Sequence, residues 1–216
     1  MHLQLKNIAK ISLADIELTG ITVVAGANDT GKSTVGKVLF CIFNGFCEIS
    51  NQIYIERTNV IERILDSFYF TTTNRATLRS DTGDMAENIL KKRNSYFGDL
   101  LLLQADIKEM FLQSDENFEK YLDQESMANV AERVVRILNI SDEDIFKTVL
   151  QKKLELEFNG QINNIYSAEE KGEIGLKIKN SEVKINVQNH GIVDIVNSFS
   201  LNTEVIYMTT PLRLTT

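Results

Sequence analysis

Apolar positions divide the chain into stretches of different period. From Leu3 to Leu18 they alternate imperfectly, through Leu3, Leu5, Ile8, Ile11, Leu13, Ile16 and Leu18. This predicts two strands joined by a tight connection near Lys10 to Ala14. Thr19-Gly20 turns the chain into Ile21-Thr22-Val23-Val24-Ala25, a β-branched run that predicts a short buried strand. After a polar, glycine-containing stretch, Val35, Val38, Leu39, Ile42, Phe43 and Phe46 recur at helical spacing.

From about Glu48 to Lys153 the period stays helical. Ile53, Ile61, Ile64, Leu65 and Phe68 suit one amphipathic segment, which Thr71-Thr72-Thr73-Asn74 breaks. Met85 to Phe111 gives a second, with Gly98 placed to split it. Asn129 to Leu138 gives a third through Val130, Val134, Val135 and Leu138. Ser141 with Asp144 three residues on resembles a capping box, opening a short helix through Ile145, Phe146 and Val149.

The period then drops to two. Leu154, Leu156 and Phe158 alternate with Glu155 and Glu157, and Asn159-Gly160 predicts a hairpin turn into Ile162–Tyr166. A second hairpin is expected from Ile174, Leu176 and Ile178 to Val183, Ile185 and Val187 across Asn180-Ser181. Ile192 to Phe199 reads equally as helix or strand. Val205-Ile206-Tyr207-Met208 reads as a buried strand.

Composition adds bounds. The chain has 216 residues, enough for one large domain or two small ones, and a net charge of −7. That charge argues against a generally basic nucleic-acid coat. Neither a signal-peptide layout nor an apolar run of spanning length occurs, so a cytoplasmic protein without a membrane partner is expected. Cys41 and Cys47 lie six residues apart on one predicted helix, which separates their faces. They read as small buried or half-buried residues rather than a disulfide or metal pair. His2 and His190 are isolated in the sequence. Lys91-Lys92-Arg93 reads as a solvated helix face, and Tyr96 and Phe97 as part of an apolar stripe.

The candidate chemistry lies in Gly26 to Thr34, GANDTGKST, between the predicted strand and helix. It fits the phosphate-binding pattern G-x-x-x-x-G-K-[ST] at Gly26, Gly31, Lys32 and Ser33. A loop wrapping a polyphosphate turns several backbone N–H groups inward, and glycine permits the required backbone angles. Candidate nucleotide contacts are therefore Gly26, Ala27, Asn28, Asp29, Thr30, Gly31, Lys32, Ser33 and Thr34. Lys32 would set its ammonium against the β- and γ-phosphates of ATP. Ser33 would ligate Mg²⁺, and Thr34 would lie near the α-phosphate at the N-terminus of a helix.

The opening LQLKNIAKI…LADIELTGITVVAGANDTGKST resembles the start of ABC-type ATPase heads of the SMC, RecF and OLD-like group. Asn7-Ile8 matches the strand step that opens those heads, and two strands precede the loop-bearing strand. Asn28, Thr30, Gly31, Lys32, Ser33 and Thr34 match the variant loop G-x-N-x-[ST]-G-K-[ST]-[ST], while Asp29 departs from the usual Gly, Asn or Ser. The resemblance is detailed over about 45 residues and architectural beyond them. It implies an α/β P-loop NTPase fold of ABC type, first lobe. Residues 1–47 would hold strands, loop and helix, 48–153 a helical insertion, and 154–216 an antiparallel β-subdomain and core strand. It also implies ATP and Mg²⁺ as cofactors, a homodimer of the full-length protein, and work on DNA in repair or phage defence.

Hydrolysis calls for more than a phosphate loop. The apolar run Val205–Met208 is followed by Thr209 rather than a Walker B carboxylate, and no Leu-Ser-Gly-Gly signature occurs. The expectation is an N-terminal portion of a longer ATPase. The alternative is a module that binds nucleotide without hydrolysing it and gates an interaction. Guanine is disfavoured because no Asn-Lys-x-Asp step occurs. Thr209-Thr210-Pro211-Leu212-Arg213 reads first as a turn after a strand, with Arg213 a site candidate through its similarity to the Pro-Leu-Arg step of OLD-like ATPases.

Overall fold

A computed structural model describes residues 1–28, 30–75, 79–167 and 169–201, with the backbone alone of Arg79 and Ser80. It shows a mixed α/β chain whose strands form one antiparallel sheet. The chain divides into two units, Met1–Ser50 with Phe146–Thr216, and Asn51–Ile145. Among the described residues no helix is long and apolar enough to cross a membrane.

The first unit contains the sheet. Strands β1 (His2–Ile8), β2 (Ile11–Glu17), β3 (Gly172–Ile178), β4 (Ser181–Gln188) and β5 (Gly191–Val196) lie in the order β2-β1-β3-β4-β5. The β1–β2 hairpin closes at Ala9-Lys10, with Ile8 opposite Ile11, earlier than the expected Lys10 to Ala14. Ala9 takes φ 48° to make the turn. The second expected hairpin forms, with Ile174 opposite Ile185 and Leu176 opposite Val183. Its turn falls at Lys179-Asn180, where Lys179 takes φ 55°. Leu3, Leu5, Ile174, Leu176, Val183, Ile185 and Val187 are buried, so one period-two set fills the core face. The sheet thus joins β1 and β2 to the later strands β3, β4 and β5.

Helix α1 (Lys32–Phe46) buries Val35, Val38, Ile42 and Phe46 as their spacing predicts. It runs antiparallel to the later part of α6 (Asp142–Phe158). Phe46 meets Phe146 edge-on at 5.0 Å, a geometry contributing about 0.5–1.5 kcal/mol beyond area burial. Gly45 lets the helices approach, since a Cβ there would stand 2.6 Å from Leu150 Cδ1. Cys41 donates weakly to the Lys153 carbonyl at 3.5 Å, and Lys37 donates to the Glu157 carbonyl at 2.5 Å. Both cysteines are free thiols, and burial pushes the Cys41 thiol up to about 12.

Two sequence expectations fail in this unit. Residues Leu154–Phe158 end a helix and do not form a strand. Leu150, Leu154 and Phe158 are buried at intervals of four, while Leu156 is 79% exposed. Five residues of i, i+2 alternation were too few to separate the two periods. Asn159 and Gly160, with φ 50° and 78°, close the helix in the left-handed region instead of turning a hairpin. Residues 162–166 consequently form no strand and contribute one bridge, Ile8 to Asn163. The second failure is Ile21–Ala25, which is irregular and exposed, with Ile21 at 96% and Val23 at 82%. A strand is maintained by ladder partners, and this run has none among the described residues.

The second unit is helical, as the pattern indicates. It holds most of α2 (Ile49–Thr73), then α3 (Arg79–Lys91), α4 (Leu100–Ser114) and α5 (Gln124–Asn139). Asn74 at φ 56° follows α2, and Gly98 precedes α4. Ile61, Leu65, Ile107, Val130 and Val134 belong to its core, beside stacked Tyr69, Phe111 and Phe118. Arg57, 4% exposed, donates to the Asp142 carboxylate at 2.8 Å and to the Ile140 carbonyl. The Ser141–Asp144 box forms, with the Asp144 N–H donating to Ser141 Oγ at 3.0 Å, but the helix it opens runs on to Phe158.

Candidate functional site

The phosphate-loop sequence ends at α1, which starts at Lys32 with Gly31 as its N-cap at φ 89°. Only glycine takes that angle without strain, and a Cβ would also stand 2.9 Å from Ile11 Cγ1. The loop therefore presses against the β1–β2 turn. The first turn of α1 has no acidic residue and no side-chain cap. Thr34 N–H donates to the Gly31 carbonyl at 3.0 Å, and the end carries the partial positive charge of a helix N-terminus.

Lys32 curls back and donates to the Gly26 carbonyl at 2.9 Å and to the Ala27 carbonyl. Thr30 Oγ1 donates to the Ala27 carbonyl at 2.9 Å. These bonds tie Thr30 and Lys32 back to Gly26 and Ala27. An ammonium has three donors, so two hold these carbonyls and one is left for a ligand.

Beside this loop lies a cavity of about 480 Å³, within the range of small-molecule sites. Asn28, Gly31, Lys32, Ser33 and Thr34 line it. Gly26, Ala27 and Thr30 shape it through the bonds just given, and Asp29 lies outside the described residues. Comparison with protein-family models, with curated proteins and with solved structures finds no match.

Pattern reading missed the rest of the lining. Lys10 and Ala9 come from the β1–β2 turn, Lys37 from the second turn of α1, and Glu157, Phe158, Asn159, Gln161 and Ile165 from the end of α6 and the segment after it. Lys37 stands 4.0 Å from the Glu157 carboxylate and 5.8 Å from the Phe158 ring centre. It also caps the Glu157 carbonyl in the last turn of α6, a favourable place for a cation. Antiparallel pairing brings the positive end of α1 and the capped negative end of α6 to one cavity. Reading Asn159-Gly160 as a helix cap would have exposed this link.

The other sequence candidates do not converge here. Val205–Met208 and Thr209–Arg213, with Arg213, lie outside the described residues. Lys91, Lys92 and Arg93 pair with Glu87, Asp106 and Asp142. Hydrogen bonds from Lys92, and then from Tyr96, hold the Asp106 carboxyl below its usual range. Tyr96 is buried, as expected of a stripe residue, but Phe97 is 57% exposed and departs from it. Among the described residues no group of three or more His, Cys, Asp or Glu is arranged to hold a metal. Ser33, the expected Mg²⁺ ligand, lines the cavity.

Proposed function

We propose that Gly26–Thr34 holds the phosphates of ATP, with Mg²⁺ on Ser33, in a P-loop head resembling the ABC-type ATPases of the SMC, RecF and OLD-like group. One observation carries the reading. A lysine folded onto the Gly26 and Ala27 carbonyls, a helix N-terminus without a side-chain cap, and the lysines Lys10 and Lys37 meet at one cavity. Backbone N–H groups and ammonium groups are the donors a polyphosphate needs. Because residues 21–25 are not a strand, support comes from the cavity and not from sheet order.

In this reading the remaining Lys32 donor reaches the β/γ-phosphates while the other two stay on the Gly26 and Ala27 carbonyls. The first-turn amides of α1 meet the remaining oxygens. In the complete protein, hydrolysis across a homodimer and work on DNA in the cytoplasm form the context that the resemblance supplies. The competing reading, a nucleotide-gated interaction module, is favoured by Glu157. It is the carboxylate lining the cavity among the described residues, and Lys37 engages it. Single-turnover hydrolysis by the full-length protein separates the two.

Calorimetric titration with Mg·ATP tests the binding step. A charge-assisted hydrogen bond contributes about 1.5–3 kcal/mol, so Lys32→Ala is expected to weaken ATP roughly 10- to 100-fold. Equal affinity in the variant and the parent would overturn the assignment of the loop.

A further inference from the structure

We infer that the cavity wall made by Phe158, Asn159, Gln161 and Ile165 receives the adenine ring of the nucleotide. This rests on the nucleotide reading above and adds where the base lies and what recognises it. A polyphosphate needs donors and positive charge, which the loop and the lysines provide. The four side chains of this wall are themselves uncharged, and the Lys37–Glu157 pair borders it at Phe158. Phe158 is buried and gives an apolar back, and Ile165 leaves apolar surface 39% exposed at the edge of a lysine-lined cavity. A flat heteroaromatic ring covers such a surface; a phosphate does not. The two carboxamides, Asn159 and Gln161, each offer a donor beside an acceptor. That pair matches the adjacent acceptor and donor on the N6/N7 edge of adenine, whereas guanine presents two acceptors there.

The wall is also held in place before any ligand arrives. Gly160 N–H donates to the Glu155 carbonyl and Gln161 N–H to the Phe158 carbonyl, each at 2.9 Å. Residues 162–165 are stitched to the end of β1. Ala9 N–H donates to Ile162 O at 2.9 Å, Asn164 N–H to Asn7 O at 2.9 Å, and Ile165 N–H to Ala9 O at 3.0 Å. Behind them Asn163 is fully buried, donating to Glu170 O at 3.0 Å and accepting from the His190 N–H at 2.7 Å. Asn7 donates to the Glu170 carboxylate at 2.9 Å. A wall fixed by buried amides loses little entropy on binding, which favours a specific ligand.

The test is calorimetry on the whole chain with Mg²⁺ and three probes, ATP, GTP and inorganic tripolyphosphate. The variants are Asn159→Gly, which keeps the left-handed backbone, Gln161→Ala and their combination. The parent is expected to bind ATP about 10-fold or more tighter than GTP or tripolyphosphate. The double variant is expected to lose about that factor for ATP, keep its tripolyphosphate affinity and melt at the parent temperature. If the double variant binds ATP as well as the parent while tripolyphosphate still binds, the base lies elsewhere and this inference alone is overturned. If the parent binds neither ATP nor tripolyphosphate, the phosphate-loop reading fails, and this one with it.

Discussion

Two five-residue stretches of the first unit have almost the same character and opposite fates. Ile21-Thr22-Val23-Val24-Ala25 holds more β-branched residues than Val183-Lys184-Ile185-Asn186-Val187. Yet the second is the middle of β4, with Val183, Ile185 and Val187 buried, and the first is irregular and open to solvent. Composition therefore does not separate them; neighbours do. β4 has β3 on one side and β5 on the other, so its backbone groups are paired and its apolar face is covered. The run before Gly26–Thr34 follows β2, which is an edge of the sheet among the described residues. β-propensity reports fitness for a pleated, covered surface and supplies no partner.

The comparison is broken or sharpened most by truncating both stretches. Ile185→Ala is expected to destabilise the chain by about 2–5 kcal/mol, the cost of a core cavity. Val23→Ala should stay within about 0.5 kcal/mol, as at a surface position. Equal losses in denaturant unfolding would mean that residues 21–25 are covered in solution. Next in size is Gly31→Ala, at the boundary between the open run and α1. A non-glycine residue at φ 89° costs roughly 1–2 kcal/mol, and the added Cβ displaces Ile11. Stability should drop by about that amount and tripolyphosphate binding should weaken with it, read by chemical unfolding and calorimetry on the same sample.

A smaller effect contrasts the covered face of α1 with the open run. Burial, with Glu157 nearby as the next cause, raises Cys41 to about 12 from an ordinary value of 9.0. A thiol whose native pKa is raised contributes stability that is whole below the unfolded value. That contribution is lost as pH climbs from about 9 towards 12. Cys41→Ala should flatten this alkaline decline relative to the parent. In the native state Cys41 should resist a thiol reagent that labels Val23→Cys at once, because the thiolate is the nucleophile and the site is closed. Rapid native labelling of Cys41, located by mass spectrometry, would refute that closure.

Where long runs repeat one period, the sequence was a good guide. The α1 stripe, the helical block and the β3–β4 hairpin needed only spacing to be read. Gly26, Gly31, Lys32 and Ser33 stood out by their spacing, and Gly31, Lys32 and Ser33 line one cavity. Short alternating stretches were poor guides. Leu154–Phe158 satisfied both periods, and only the preceding turn of α6, with Leu150 under it, shows the helix. The cavity wall was unreadable because Lys10, Lys37, Phe158, Gln161 and Ile165 are far apart in sequence and unremarkable in type.

By itself the order of residues determined helices α1 to α5, the β1–β2 and β3–β4 hairpins and the bonds that Lys32 can make to Gly26 and Ala27, because each depends on groups within a few turns of one another. Tertiary structure decided which β-branched run became a strand, which end of α6 meets α1, and which side chains share the cavity with the loop. Those outcomes depend on backbone groups finding partners more than a hundred residues away, as when Lys37 caps Glu157 or Ile165 donates to Ala9. A local pattern contains no record of such partners.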